Sequence, residues 1–134
     1  MKPASARYLA KSRESLASAD ADLEAGRYNA VANRAYYAAF QAAVALLIEN
    51  GVRPRSGSWE HKFVMSEFSG TLVKRRMIIH STHRGVLERL LESRVRADYR
   101  AESISRNDAR RLVREARAIL REAERVLEGQ QGRK

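Results

Sequence analysis

Apolar positions recur along the chain at three- and four-residue spacing, and no stretch sustains the alternation of a strand. The pattern predicts a first helix over residues 5–24, stopped at Gly26, and a second over 28–49, stopped at Asn50-Gly51. Residues 52–58, Val-Arg-Pro-Arg-Ser-Gly-Ser, have turn composition and form the longest expected loop. Ser58 is expected to cap a short helix through Phe68, broken by Ser69-Gly70. Helical regions follow over about 72–79 and 82–99. The last helix is expected from Ser105, with Asp108 three residues on as a capping-box variant, to Leu127. The fold class is therefore all-α: an up-and-down antiparallel bundle of about five helices, one domain over 1–134 with its ordered core at about 5–128.

The faces of these helices differ. In the last one, Leu112, Val113, Ala116, Ile119, Leu120, Ala123, Val126 and Leu127 share an arc of about 140°. Arg106, Arg110, Arg114, Arg117, Arg121 and Arg125 share another, of about 100°. Such a stripe suits a phosphate backbone. Glu124 and Glu128 lie on the same arc at pairing distance from Arg121 and Arg125, so it reads first as a solvated face. The second helix is apolar nearly all round: Val31, Ala35, Ala38, Ala42 and Ala45 on one face, Tyr36, Phe40, Ala43 and Leu47 on another. It must be buried on several sides, in the bundle or at an oligomer interface.

Against that background Arg34, Tyr37 and Gln41 form one polar line that needs partners. In the fourth helical region Arg94 and Asp98 project within the arc of Leu87, Leu90 and Leu91, while Arg89, Arg96 and Arg100 lie opposite. One reading is an internal ion pair that sets packing register. The other is a pocket where Arg34, Tyr37 and Gln41 meet Arg94, Asp98 and Tyr99.

Composition narrows the chemistry. The chain has 134 residues, 44% hydrophobic and 31% charged, enough for a core and a solvated surface. It has no cysteine, which excludes disulfides, thiolate metal sites and thiol nucleophiles. The longest apolar stretch, residues 35–48, is interrupted by Gln41 and is short for a bilayer, and the first residues lack a signal-peptide core. A cytoplasmic protein with no membrane partner is expected. Lys plus Arg is 26 against 16 acids, a net charge of +10, and 21 of the cations are arginine. The excess is +1 over residues 1–50, +6 over 51–100 and +3 over 101–134. A phosphate-bearing partner, RNA or a nucleotide, fits that field, as does a coding bias toward arginine.

Asn33-Arg34-Ala35-Tyr36-Tyr37-Ala38-Ala39-Phe40, preceded by Leu23-Glu-Ala-Gly-Arg-Tyr-Asn-Ala30, resembles the signature of HEPN domains, in a small stand-alone prokaryotic branch. Arg94-Val-Arg-Ala97-Asp98-Tyr99 resembles the second signature of that branch, and His61 a further recurrent position. The resemblance covers about residues 8–127. It implies a five-helix bundle that dimerises around a cleft, and for many members a metal-independent endoribonuclease or toxin restrained by a minimal nucleotidyltransferase partner.

HEPN ribonucleases share an Arg-x(4–6)-His motif, in which a base takes the ribose 2′-OH proton and a cation stabilises the phosphorane. Here Arg94 is followed by Tyr99 where the His is expected, and Asp98 is held ionised by Arg94. Arg94, Asp98 and Tyr99 are the catalytic candidates, and Arg34, Tyr37 and Gln41 the candidates for nucleotide or RNA binding. Arg75 with His80, and Arg76 with His83, also meet the spacing and are second-choice catalytic candidates. His61 has no visible partner and reads as a capping or interface residue. His61, His80 and His83 make no metal motif, so no metal or cofactor is expected. Two functions follow. One is a homodimeric binding module for RNA or a nucleotide, paired with a nucleotidyltransferase. The other is a metal-independent endoribonuclease toxin.

Overall fold

In a computed structural model the chain is an all-α bundle, described over residues 1–131. The expected domain span of 1–134 thus ends three residues outside the described part. The helices are α1 Pro3–Glu24, α2 Tyr28–Glu49, α3 His61–Glu67, α4 Val86–Tyr99 and α5 Arg106–Gln131. An eight-residue π-helix, Phe68–Arg75, continues α3, and a 3-10 turn, Ser81–His83, precedes α4. No strand occurs among the described residues.

The centre of the bundle is α2, packed against α1, α5, α4 and α3. From Ala42 to Leu47 every residue is fully buried. The surplus apolar surface that suggested an oligomer interface is therefore covered within one chain, and α2 itself gives no support for a dimer. At 22 residues α2 is long and apolar enough by composition to cross a membrane, longer than the 35–48 stretch suggested. Its apolar side chains are turned into the bundle instead.

Alanines on α2 and serines on α1 let these two helices approach closely. Ser5, Leu9, Ser12, Leu16 and Ala19 line the buried seam of α1, and the Ser12 hydroxyl donates to the Ala38 carbonyl at 2.6 Å. This inter-helix bond satisfies a buried hydroxyl that would otherwise cost about 1–3 kcal/mol. On α5 all eight apolar-arc residues are buried. The Ser105 hydroxyl accepts from the Asp108 N–H at 3.1 Å, the expected cap. The acids of the arginine stripe pair differently from expectation. Glu124 and Glu128 reach across to Arg13 of α1, at 2.7 and 2.8 Å, while Arg125 takes Glu122 and Arg117 takes Asp20.

Four local expectations are corrected. The region 72–79 is no separate helix: its first half completes the π-helix and 76–79 are not helical. Ser58 does not cap α3, which starts at His61 after Glu60 with no side-chain cap. Ser69-Gly70 does not break the chain, because the backbone widens into the π-helix and keeps its hydrogen bonds. The region 82–99 is split at Gly85, whose φ of 80° ends the 3-10 turn and starts α4. That left-handed conformation suits glycine and almost nothing else.

Candidate functional site

The aromatic run of α2 faces α4 and the start of α3. Tyr36 is fully buried, and its ring centroid lies 5.3 Å from Tyr37, 5.8 Å from Phe40 and 5.3 Å from His61. From α4, the Arg94 guanidinium carbon lies 5.2 Å from the Tyr37 centroid and 6.0 Å from that of Tyr36. Arg34 lies 5.4 Å from the same Tyr37 ring. Two cations thus share one neutral aromatic ring. Cation–π attraction contributes to each at about 0.5–2 kcal/mol.

The charges around them are unequal. Arg94 Nε lies 3.6 Å from Asp98, an ion pair but too long for a hydrogen bond, and is buried with no hydrogen-bond partner among the described residues. Arg34 makes no ion pair among the described residues; its Nε and Nη2 donate to the Asn33 side-chain oxygen at 2.9 and 2.6 Å. Arg34, Arg94 and Asp98 thus bring two guanidiniums and one carboxylate to Tyr37, and Glu88 of α4 lies near enough to act on the neighbouring Tyr36. Arg34 also borders a shallow recess between α1 and α2 with Lys11, Glu14, Ser15, Ser18 and Gln41.

His61, at the first position of α3, joins this cluster. The Tyr36 hydroxyl and His61 Nδ1 are hydrogen-bonded. Burial pushes the Tyr36 hydroxyl pKa far up, so it keeps its proton. Burial first, and the Arg94 charge second, lower the His61 pKa below its ordinary value, so the imidazole is neutral. The only partner of the buried hydroxyl among the described residues is Nδ1, so the Tyr O–H donates there and the ring proton sits on Nε2. Nε2 makes no hydrogen bond to another described residue. It is a donor left without a partner near the Arg94 charge, whereas a general base would need that nitrogen bare.

The expected pocket is thus assembled only in part. Arg34, Tyr37, Arg94 and Asp98 come together. Gln41 shares the recess with Arg34 but makes no bond to Arg94: its amide nitrogen, facing the acceptors around it, lies 3.0 Å from the Lys11 and Tyr37 carbonyls and 2.7 Å from the Ser15 hydroxyl, and its two hydrogens tie it to these, linking α2 to α1. Tyr99 does not join them, standing 79% exposed at the end of α4. Arg75 folds back on the π-helix, donating to the Thr71 hydroxyl at 2.6 Å and pairing with Glu67 at 3.5 Å. His80 is exposed, and its Nδ1 accepts from the Thr82 N–H at 3.1 Å. His83 is half-buried, 4.0 Å from Glu122 on α5. None of these three bonds to the Arg94 cluster.

Sequence reasoning left His61 without a partner, and the partner is Tyr36. The usable signal was a tyrosine in the middle of the most apolar helix, since a buried phenol hydroxyl needs an acceptor. No group of three metal-ligating side chains occurs among the described residues.

A model of the HEPN domain family matches residues 5–126. No curated protein matches the chain in a search of sequences.

Proposed function

The chain belongs to the HEPN domain family, and from that premise we propose that it is an RNA- or nucleotide-binding module. It acts as a cytoplasmic homodimer and as one half of a pair with a minimal nucleotidyltransferase. The observation that supports binding most is the sharing of the Tyr37 ring by Arg34 and Arg94, with Asp98 as the single paired carboxylate. Two like charges on one ring repel, and a phosphate oxygen offsets the uncompensated one. Arg94 Nε supplies an unpartnered donor and the His61 N–H a second.

The dimer and the nucleotidyltransferase partner rest on the family resemblance. On this chain the face that fits a second copy is α4, where Val95 and Tyr99 are exposed beside the Arg94–Asp98 pair. A subunit docked there would wall the arginine cluster and make it a cleft. Placing carboxylates on this face with Val95→Glu and Tyr99→Glu should then shift sedimentation from dimer to monomer; a wild-type monomer at high concentration contradicts the dimer.

A second reading, a metal-independent endoribonuclease, is favoured by one contact: His61 lies close enough to Arg94 for that charge to lower its pKa. The Nε2–H tautomer opposes it, because the open nitrogen already carries a proton. Incubation with total cellular RNA in EDTA separates the two. The binding reading expects retention that weakens in Arg34→Ala and Arg94→Ala and no cleavage by any form. Cleavage abolished by His61→Ala, His80→Ala or His83→Ala would establish the nuclease instead.

A further inference from the structure

A second concavity lies away from the arginine cluster and shares no residue with it. Val73 and Lys74 of the π-helix, then Met77, Ile79, His80, Ser81 and Arg84, line a cavity of about 390 Å³. That volume is within the range of small-molecule sites. The backbone creates it. After the π-helix ends, Met77 takes a left-handed φ of 51°, and the Ile78 and Ile79 N–H groups both return to the Leu72 carbonyl, at 2.8 and 3.1 Å. The chain is thereby folded back on the π-helix with the cavity beside the reversal.

The left-handed conformation is strained for a methionine, by roughly 1–2 kcal/mol, and packing does not explain it, since Met77 is 78% exposed. It puts a large thioether at the rim of a cavity whose floor is the buried pair Val73 and Ile79. The polar part of the lining has one sign. Lys74 and Arg84 are exposed and make no ion pair among the described residues. His80 uses Nδ1 as the acceptor for the Thr82 N–H, which leaves Nε2 as a donor. Ser81 adds a hydroxyl. No carboxylate among the described residues lines the cavity, and the nearby Glu122 is taken by Arg125 at 2.8 and 3.1 Å. Arg75 is turned away onto Thr71; Gly70 leaves room for it, since a Cβ there would come within 3.3 Å of its guanidinium.

We propose that this cavity is a binding site for a small phosphate monoester with a flat apolar body, an aryl or nucleoside phosphate. The ring lies on Val73, Ile79 and Met77, and the dianionic head takes Lys74, Arg84 and His80. Two cations and an N–H donor suit a dianion better than a carboxylate.

The test is amide NMR titration of the full chain with phenyl phosphate, AMP and inorganic phosphate. Saturable shifts confined to residues 73–84 are expected, with phenyl phosphate or AMP at least about tenfold tighter than inorganic phosphate because burial of an apolar ring adds to the charge contacts. Lys74→Glu and Arg84→Glu, checked for retained helicity by circular dichroism, should each weaken the organic phosphate about tenfold. Tighter AMP assigns a nucleoside source, and tighter or equal phenyl phosphate an aryl source. Inorganic phosphate binding as tightly as either, shifts centred on Arg34 and Arg94, or binding indifferent to both variants would overturn the proposal. None of those outcomes bears on RNA retention by the arginine cluster, except shifts at that cluster, which would support it.

Discussion

Tyr36 decides what His61 can do. Its buried hydroxyl donates to Nδ1, which leaves the ring proton on the open nitrogen. Tyr36→Phe keeps the ring and removes the donor, so His61 should lose its tautomer preference and the fold about 1 kcal/mol. Long-range proton–nitrogen spectra of the histidine rings check the first, and denaturant unfolding the second; an unchanged Nε2–H pattern would refute the tautomer argument. The depressed His61 pKa also predicts a pH dependence. The unfolded chain binds this proton more readily than the folded one, so the contribution is complete above the ordinary histidine value, about 6.5. It is lost as pH falls below that value toward the folded one. His61→Gln should flatten this limb of the stability profile, measured as unfolding midpoint between neutral and mildly acid pH; an unchanged limb would place its origin elsewhere. At this scale Arg34, Tyr37, Arg94 and Asp98 were legible because charge among apolar positions of a helix is conspicuous. The tie of Gln41 to α1 was not legible, since an amide fits a local helix–helix link as well as a ligand.

Among the elements, α2 sets the bundle's spacing. It packs against α1, α3, α4 and α5, its alanines from Ala32 to Ala45 are fully buried, and the Ser12 hydroxyl donates to the Ala38 carbonyl. Ala38→Leu should force α1 away and cost about 1–3 kcal/mol, seen as a lower midpoint of chemical unfolding. A midpoint at or above the wild type would mean that the α1–α2 seam has slack. The five helices were readable from period and stop signals, with α2 matching at both ends. The π-helix was not. Ser-Gly is a fair breaker signal, but a widened turn can absorb the glycine while Thr71 and Arg75 tie it together, and no local composition announces that. The serine seam of α1 was equally hidden, because serine at core positions reads as polar.

The whole molecule carries +10, and two of its arginine groupings invite comparison, the α5 stripe and the Arg34–Arg94 cluster. The α5 stripe is largely a solvated face: Arg117 and Arg125 are paired, and Glu124 and Glu128 are taken by Arg13. Its exposed members Arg106, Arg110, Arg114 and Arg121 have no ion pair among the described residues, and Arg114 and Arg121 add to a diffuse field. The Arg34–Arg94 cluster is different, because its charge is concentrated on a ring between helices. Which of the two meets RNA is measured by fluorescence anisotropy of a labelled single-stranded RNA across a salt series, comparing Arg34→Gln and Arg94→Gln with Arg114→Gln and Arg121→Gln. Each cluster variant should weaken binding about tenfold and reduce the salt slope by about one, while the stripe variants change little. Wild-type affinity in both cluster variants, with binding lost from the stripe, would contradict the account.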